Sequence, residues 1–378
     1  MRSRMFFRTS SLLIVLLFAC LCFGASPEKN SGIIAGVDIS MLPEIEKAGG
    51  VYRDQGKAGD AIQILRDHHC TLFRVRLFVK PSTDFNKSYG ATQDLNYVRA
   101  LAKRIKAAGG EFLLDIHYSD TWADPGKQFK PADWEGMDFD ALVKQVHDYT
   151  ASVIKDLQSN DAGPDMVQVG NEITSGMVWP DGKVLDAPAD KEAVQWQRFS
   201  QFLNAGAKAV REAQTPGHPI RIVIHIHGGG KPGLPKWFFE KLNRNPVDFD
   251  IVGLSFYPAW NDSLDALKKN MNEVVQATGK DVLLAETSYP WADMGMKDNA
   301  AMQWPQTKEG QKQFVVDLNA ALGAVPDHHG LGFAWWYPEA IPVQGLSIWR
   351  GGREALFDEH GNALPAMDAF DGGEPKGK

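Results

Sequence analysis

The sequence has few cysteines and no surplus of basic side chains, and each shortage excludes a class of protein. Two of its three cysteines, Cys20 and Cys22, lie within the first 24 residues, so only Cys70 remains beyond them. A chain of this length must then be held together by its core, without an intrachain disulfide. Acidic side chains outnumber basic ones by 47 to 40, which argues against nucleic acid and anionic membranes as partners.

The chain also lacks an apolar run long enough to cross a membrane. The apolar segment 12–23 is shorter than the roughly 20 residues that a transmembrane helix needs. It follows three arginines without an acidic neighbour, which is the layout of a secretory signal peptide. We therefore expect residues 1–24 to be removed and the protein to be exported to the periplasm or the cell exterior. Without those three arginines, 37 basic side chains face 47 acidic ones, a formal charge of −10.

A second interpretation of this segment is lipidation at Cys20. Residues 17–20 loosely resemble a lipoprotein signal, although Phe18 is bulky where a small residue is usual. The interior has no linker rich in Pro, Ser or Gly, so residues 25–371 are predicted to form one domain. Residues 372–378 are predicted to be a disordered tail.

Short apolar runs bounded by turns indicate eight strands, alternating with longer segments that have helical spacing. The strands are predicted at 33–39, 72–78, 111–117, 166–172, 220–227, 250–257, 281–286 and 332–336. The helices are predicted at 60–67, 94–108, 138–158, 191–213, 236–243, 263–277 and 309–323. Regular strand–helix alternation implies a parallel sheet, and eight repeats favour an α/β fold with a single (β/α)8 TIM barrel. An open doubly wound sheet is the alternative, but no phosphate-binding glycine motif follows any strand.

The predicted strands end in side chains that can do chemistry. They are Arg74, Arg76, Asp115, His117, Asn171, Glu172, His225, His227, Tyr257, Glu286 and Trp336. In a barrel the carboxyl ends of all strands meet at one face. Charged groups there are costly unless they are exposed or paired, so the pattern predicts a polar pocket at the top of the barrel.

Two glutamates on this rim form the predicted catalytic pair. Glu172, preceded by Asn171, ends the fourth strand and Glu286 ends the seventh. Paired carboxylates suit the cleavage of glycosidic bonds, because one protonates the leaving oxygen while the other attacks the anomeric carbon. The competing interpretation is an ordinary surface glutamate at a strand end. It is disfavoured because an amide precedes Glu172 and because Trp179 and Trp291 follow the two glutamates.

Four further rim residues are predicted to support this pair. His117, His225 and Tyr257 would supply hydrogen bonds that keep each carboxyl group in its working protonation state. For Arg74 two roles stay open: it pairs with acidic groups structurally, or it lowers the pKa of Glu286 and so keeps that side chain nucleophilic.

Tryptophans at or just after the strand ends indicate a groove for sugar rings, whose C–H faces pack on indoles. They are Trp122, Trp134, Trp179, Trp260, Trp291, Trp335 and Trp336. Of the adjacent Trp335 and Trp336, one should be core, because neighbouring strand residues face opposite sides. Trp122 lies in a long loop and is the better candidate for the groove. The residues assigned to substrate binding are Asp120, Trp122, Asp124, Trp179, Trp291 and Trp336.

Four segments resemble family 53 of the glycoside hydrolases, the arabinogalactan endo-β-1,4-galactanases. They are HYSDTWADP (117–125), VGNEITSGMVWP (169–180), GLSFYP (253–258) and AETSYPW (285–291). The resemblance extends over roughly residues 33–370. It implies a retaining (β/α)8 enzyme that acts on the β-1,4-galactan of plant pectin, with Glu172 as acid/base and Glu286 as nucleophile. It also implies that the family's rim side chains correspond to Arg74, His117, Asn171, His225, Tyr257 and Trp336.

The sequence departs from the family at two strand ends. After strand 8 it reads WWYP where the family commonly has YWEP, so that Tyr337 replaces an acid and Glu339 follows two residues later. After strand 5 it reads HIHGGG, with His227 where the family often has Asp-Asn. Some bacterial members hold calcium near strands 7 and 8, but no loop here is oxygen-rich enough to assign ligands. We therefore expect no required cofactor and place no metal.

Three other functions remain as alternatives. Another β-1,4-glycanase, such as a mannanase or a cellulase, would share the fold and the catalytic pair. A metal-dependent hydrolase would use His117, His225, His227 and Asp115, but His-x-His without a bridging carboxylate is a weak ligand set. A non-catalytic surface galactan-binding protein would keep the tryptophans without needing both glutamates. We expect a monomer that binds polysaccharide.

Overall fold

Eight parallel strands close into a barrel, which confirms the predicted fold. The computed structural model describes residues 32–81, 92–186, 188–260, 262–295 and 301–371. The strands are β1 (Ile34–Asp38), β2 (Leu72–Leu77), β3 (Glu111–Ile116), β4 (Met166–Val169), β5 (Arg221–Ile226), β6 (Ile251–Phe256), β7 (Asp281–Thr287) and β8 (Gly330–Trp336). Each pairs with the strands before and after it in the chain, and β8 closes the ring on β1. The predicted signal peptide, Cys20 and the predicted tail lie outside the described residues.

Helices follow the strands and surround the barrel. They are α1 (Leu42–Lys47), α2 (Ala61–Asp67), α3 (Leu95–Ala107), α4 (Phe139–Gln158), α5 (Glu192–Glu212), α6 (Leu234–Leu242), α7 (Leu264–Thr278) and α8 (Lys308–Gly323). Antiparallel pairs of short strands join Tyr52–Asp54 to Lys57–Gly59 and Gly176–Met177 to Gly182–Lys183. In the part of the chain that the structure describes, no helix is both long and apolar enough to span a bilayer.

The helix boundaries have local causes in the sequence. α3 begins after Asp94, whose side chain accepts a hydrogen bond from the backbone N–H of Tyr97, and α4 begins after Asp138, which accepts one from Ala141. Such caps satisfy backbone donors that have no partner in the first helical turn. α7 ends at Thr278 and is followed by Gly279, whose φ of 65° is a conformation that costs glycine little. These local features fix where the helices begin and end, and so where the chain can turn toward the next strand.

Side chains that point into the barrel form an apolar floor beneath a polar layer. The floor consists of Leu72, Leu113, Met166, Val223, Ile251 and Leu283. Two positions further along β2, β3 and β4 lie Arg74, Asp115 and Gln168, which face the same side because strand residues alternate. All three are almost completely buried. The apolar floor closes the lower end of the barrel, so that chemistry is confined to the carboxyl ends of the strands.

The fourth strand and the first helix differ from the prediction. β4 ends at Val169 rather than at Glu172, because Gly170 adopts a φ of 86° and Glu172 one of 46°. Glu172 therefore stands beyond the strand in a left-handed conformation that few non-glycine residues adopt. The prediction also missed α1, whose six residues form fewer than two helical turns and so show little periodicity.

Candidate active site

A cavity of about 730 Å³ lies at the carboxyl ends of the strands. The predicted site residues that line it are Trp122, Asp124, Asn171, Glu172, Tyr257, Glu286 and Trp336. Arg74, His117 and His225 are not part of this lining and are at most 2% exposed. The structure thus brings both glutamates to one cavity and places the predicted support residues in or beneath its wall.

Arg74 is the central charge of the buried layer. Its guanidinium lies 2.6 Å from Oδ2 of Asp38, 2.8 Å from Oδ2 of Asp115 and 3.0 Å from Oε1 of Glu286. It also donates a hydrogen bond of 2.8 Å to Oδ1 of Asn171. Although burial opposes charge, Arg74 holds the pKa of Asp115 below its usual range. Arg74 thus pairs with structural carboxylates and also contacts Glu286, which is the geometry that both predicted roles require.

Glu286 has two polar partners and little contact with solvent. Besides Arg74, the hydroxyl of Tyr257 donates a 2.9 Å hydrogen bond to Oε2 of Glu286. Burial raises the pKa of Glu286, while Arg74 and the Tyr257 hydroxyl act in the opposite direction. Burial and the neighbouring Glu286 raise the pKa of Tyr257 well above its usual value, so this phenol stays a hydrogen-bond donor at neutral pH. Burial prevails, so the pKa of Glu286 is raised to about 7, and the two polar contacts keep it below the value that burial alone would give.

Glu172 lies in a different electrostatic environment. Its Oε1 is 2.6 Å from the hydroxyl of Ser255, and no salt bridge joins Glu172 to a cation among the described residues. Burial raises the pKa of Glu172, and repulsion by Glu286 raises it further. Of two carboxyl groups at one cavity, the group without a neighbouring cation keeps its proton up to a higher pH. Glu172 is therefore the better proton donor and Glu286 the better anion.

His117 connects the base of the site to the loop after β3. Its Nδ1 accepts a hydrogen bond from the backbone N–H of Ala123 at 3.0 Å, so the proton must be on Nε2, which lies 3.0 Å from Oδ2 of Asp115. Nδ2 of Asn171 donates to the carbonyl oxygen of Ala123 at 2.9 Å. These bonds fix the loop that carries Trp122 and Asp124 over the cavity.

Tryptophans form one side of the cavity. Trp122 and Trp336 have ring centroids 6.4 Å apart, and Trp336 lies 5.5 Å from Trp349. The guanidinium of Arg350 packs on Trp349 and on Trp260, at 5.3 and 5.0 Å from the ring centroids. Trp335 is completely buried, so the prediction that one of the two adjacent tryptophans is core is confirmed. This aromatic wall is suited to the apolar faces of sugar rings.

Three residues predicted to bind substrate do not line the cavity. Asp120 accepts hydrogen bonds from the backbone N–H groups of Lys80 and Ala132 and so holds a loop. The indole N–H of Trp179 donates to the carbonyl oxygen of Ser175, and that of Trp291 to the carbonyl oxygen of Gly352. Each of these side chains therefore has a structural partner in the loops around the cavity.

Several residues at the site were missed by sequence reasoning. Ser255, which contacts Glu172, could have been found because it lies on β6 two positions before Tyr257, and alternate strand positions face the same side. Asp38 could have been found because it ends β1. Trp349 and Arg350 follow β8 in an irregular segment without periodicity, and no sequence signal points to them.

The arrangement gives little support to a metal centre. Among the residues that the structure describes, no group of three or more His, Cys, Asp and Glu side chains could hold a metal ion. Asp115 and His117 contact each other, and Asp115 is already paired with Arg74. The guanidinium would repel a second cation at that position.

Comparison with known proteins agrees with the geometry. The model of Glycosyl hydrolase family 53 matches residues 34–370. The chain is 36% identical to a Niallia circulans protein named "Uncharacterized protein in bgaB 5'region" over 361 residues, which covers 91% of this chain and 95% of that protein. It is 34% identical to the arabinogalactan endo-beta-1,4-galactanase of Cellvibrio japonicus, covering 90% and 91% of the two chains. The GH53 catalytic domain of Ignisphaera aggregans superposes with a TM-score of 0.79 at 33% identity, covering 92% of this chain and 97% of the other.

Proposed function

Because the chain belongs to glycosyl hydrolase family 53, we propose that it is an endo-acting, retaining enzyme that cleaves β-1,4-galactosidic bonds in galactan and type I arabinogalactan. In this proposal Glu286 is the nucleophile and Glu172 is the acid/base. The observation that carries the assignment is the unequal surroundings of the two glutamates. Glu286 contacts the Arg74 guanidinium at 3.0 Å, whereas Glu172 contacts the neutral hydroxyl of Ser255.

In the first step a carboxylate oxygen of Glu286 attacks the anomeric carbon of a galactosyl unit. The bond to the leaving oxygen breaks, and that oxygen takes the proton of Glu172. Arg74 and Tyr257 orient the nucleophile, because each holds a different oxygen of Glu286. The step leaves a galactosyl ester on Glu286 and a carboxylate on Glu172.

In the second step Glu172 acts as a base. It takes a proton from water as the water oxygen attacks the anomeric carbon, which releases Glu286 and returns the proton to Glu172. Two inversions leave the anomeric configuration unchanged. Both steps transfer only protons and a glycosyl group, so the proposed chemistry needs no cofactor. For the calcium that some bacterial family members hold near strands 7 and 8, no ligands are assigned in this chain.

The proposed substrate follows from the relatives and is compatible with the cavity. The Cellvibrio japonicus relative is named an arabinogalactan endo-beta-1,4-galactanase. A cavity of about 730 Å³ bordered by Trp122, Trp336 and Trp349 is large enough for several sugar rings. We further propose that the enzyme acts as a monomer and is exported by means of residues 1–24. A lipid anchor at Cys20 is the alternative to free secretion.

Product analysis separates this function from its alternatives. The purified protein is incubated with pectic galactan, glucomannan and cellulose, and the products are sized over time. Short galactan fragments of several lengths at early times support endo-action on galactan. Cleavage of glucomannan or cellulose alone would assign a different β-1,4-glycanase, and binding of galactan without products would indicate a non-catalytic protein. Full activity after treatment with a chelator is expected. Loss of activity while circular dichroism and the melting temperature stay unchanged would favour a metal-dependent hydrolase.

Azide assigns the two carboxyl groups separately. In Glu286→Ala, azide can occupy the place of the nucleophile, and the expected product is an α-galactosyl azide. In Glu172→Ala, azide attacks the galactosyl ester, and a β-galactosyl azide is expected. The opposite pattern would exchange the two roles.

A further inference from the structure

His227 stands in the wall of the cavity with one ring nitrogen engaged and the other open. It directly follows β5 and lines the cavity together with Glu172 and Asp124. Its Nδ1 lies 2.6 Å from Oγ1 of Thr174. Its Nε2 has no hydrogen-bond partner among the described residues, yet it does not belong to their fully buried polar atoms without a partner. This nitrogen is therefore accessible from the cavity.

Thr174 determines which nitrogen of His227 carries the proton. The hydroxyl oxygen of Thr174 accepts a hydrogen bond from the backbone N–H of His227 at 3.2 Å, and Thr174 is buried. If the Thr174 O–H donates to Nδ1, both groups of this contact are satisfied. If Nδ1 carried the proton, the Thr174 proton would have no acceptor among the described residues, which is costly in a buried position. The proton is therefore on Nε2, which can only donate.

The ring of His227 is uncharged near neutral pH. Burial, followed by the nearby Lys231 ammonium, lowers the pKa of His227 to about 4, while Asp124 acts in the opposite direction. A neutral imidazole of this tautomer presents one N–H to the cavity. It is a hydrogen-bond donor there and not a second acid beside Glu172.

The glycines after His227 hold its turn against the barrel. The backbone N–H of Gly229 donates to the carbonyl oxygen of Ser255 at 2.7 Å. A Cβ atom at Gly229 would lie 2.9 Å from that oxygen, and one at Gly230 would lie 2.6 Å from Cβ of Asp262. Side chains at these positions would push the turn away from β6. A donor on a turn that is already fixed loses little conformational entropy when it binds.

His227 lies on the side of the cavity from which the leaving sugar departs. Glu172 has to lie next to the glycosidic oxygen that it protonates, so the sugar that carries this oxygen begins at Glu172. His227 is bonded to the segment that follows Glu172, and Asp124 acts electrostatically on both side chains. Trp336, by contrast, ends β8 beside the strand of Glu286. The open N–H of His227 therefore faces the leaving unit.

We propose that Nε2–H of His227 donates a hydrogen bond to a hydroxyl group of the leaving galactosyl unit, so that His227 determines specificity on that side of the cleaved bond. The inference rests on the proposed function, because the acid role of Glu172 identifies the side. The bond holds the leaving sugar with its glycosidic oxygen toward Glu172. In the second step water replaces this sugar, so His227 assists only the first step.

Substrates that lack single hydroxyl groups test this hydrogen bond. Galactotriosides are prepared in which the leaving galactose lacks one hydroxyl at a time, and kcat/KM is measured for the wild type and for His227→Leu. With the complete substrate the variant should lose about tenfold, as expected for one hydrogen bond between neutral groups. Loss of one particular hydroxyl should cost the wild type a similar factor and the variant almost nothing. Additive losses for every hydroxyl would overturn the proposal.

An aryl galactobioside separates this role from damage to the fold or to Glu172. Its phenol offers His227 no sugar hydroxyl, so His227→Leu should hydrolyse it at nearly the wild-type rate. The alkaline limb of kcat/KM for the complete galactotrioside, which reports Glu172, should stay in place. Equal losses for both substrates, or a shifted limb, would overturn the inference alone. A wild type that cleaves neither substrate would overturn the proposed function and this inference with it.

Two further variants serve as controls. His227→Gln keeps a side-chain N–H and should recover most of the loss, whereas a loss as large as that of His227→Leu would contradict donation. His360→Leu, at an exposed position, is the matched control and should cleave both substrates like the wild type.

Nitrogen NMR of the full chain tests the donor without substrate. Histidine is labelled with ¹⁵N, and the His227 signals are assigned by their absence from His227→Gln. We expect the proton on Nε2 and a ring that stays neutral down to about pH 5. A proton on Nδ1 would overturn the proposal.

Discussion

Nη2 of Arg74 lies 3.0 Å from Oε1 of Glu286, where the buried polar layer of the barrel meets the cavity. This contact joins a structural ion-pair network to a group proposed to form the covalent intermediate. Arg74 also neutralises charge on Asp38 and Asp115. Its removal would therefore affect both folding and chemistry.

Arg74→Lys tests this dual role. Lysine keeps the charge but lacks the planar guanidinium with which arginine reaches several acceptors at once. We therefore expect kcat to fall about a hundredfold and the free energy of unfolding to fall by a few kcal/mol. Chemical denaturation and steady-state kinetics measure the two effects. Arg99→Lys is the matched control, because Arg99 pairs with Asp156 in a partly exposed position. Wild-type kcat in Arg74→Lys would contradict the proposed contact with the nucleophile.

Tyr257→Phe removes the hydroxyl that donates to Glu286. That hydrogen bond favours the carboxylate, so without it the pKa of Glu286 should rise. The acid limb of kcat/KM should therefore move to higher pH, and the maximum should fall by about tenfold. Tyr97→Phe is the comparison, because the Tyr97 hydroxyl bonds to the carbonyl oxygen of Ser40 and should leave the acid limb in place.

Glu172→Ala should distinguish substrates by their leaving groups. Galactan needs its leaving oxygen protonated, so we expect kcat to fall between about a hundredfold and ten-thousandfold. An aryl galactobioside with an acidic phenol needs no proton and should still form the galactosyl ester, seen as a burst of phenol. The alkaline limb of the pH profile should disappear in the variant. An equal loss for both substrates would argue against proton donation by Glu172.

Glu339 should make the protein less stable at alkaline pH. The side chain is fully buried, its Oε1 accepts from the backbone of Met41 at 2.8 Å, and Oε2 has no hydrogen-bond partner among the described residues. Burial raises its pKa to about 8. The folded pKa is above the unfolded value of about 4.3, so the proton on Glu339 is bound more tightly in the folded protein. The stability that this protonated carboxyl contributes is fully present below about pH 4.3 and is lost as the pH rises toward 8.

Glu339→Gln removes this titration. The amide oxygen can keep the bond to Met41, so the variant should gain a few kcal/mol over the wild type at about pH 8.5 and little at about pH 4. Urea unfolding at both values measures the difference. In the variant the free energy of unfolding should still depend on pH to some extent, because the raised pKa values of Glu172 and Glu286 also lower stability as the pH rises. Glu359→Gln, at an exposed position, should behave like the wild type, and a constant difference at both pH values would contradict the prediction.

Trp122 and Trp179 were both assigned to substrate binding from the sequence, but only Trp122 lines the cavity. Trp122→Leu should raise KM for galactan about tenfold, because a sugar ring loses its aromatic partner. Trp179→Leu should change KM less, since its indole packs on Phe129 and bonds to Ser175. Sizing the products that each variant releases from long and from short galactan chains shows whether either tryptophan binds the chain away from the cleavage point. A larger effect at Trp179 would place a binding subsite outside the cavity.

Much of the fold was predictable because its signals are local. The strand and helix boundaries lie near those expected from apolar periodicity, which depends only on neighbours along the chain. α1 was missed because six residues give too short a pattern. β4 was predicted three residues too long, since Gly170 and Glu172 turn out of the extended conformation and single-residue dihedral angles leave little trace in composition.

Glu172 and Glu286 could be placed on one rim from the sequence because parallel strands of a barrel end at the same face. The contacts of their carboxyl groups could not be predicted. Ser255 is paired in register with Glu286 on the neighbouring strand, yet its hydroxyl bonds to Glu172. That choice depends on barrel closure and on the left-handed turn at Glu172. Periodicity along the chain thus determined which side chains reach the cavity, while packing across the barrel determined which glutamate meets a cation and which meets a hydroxyl.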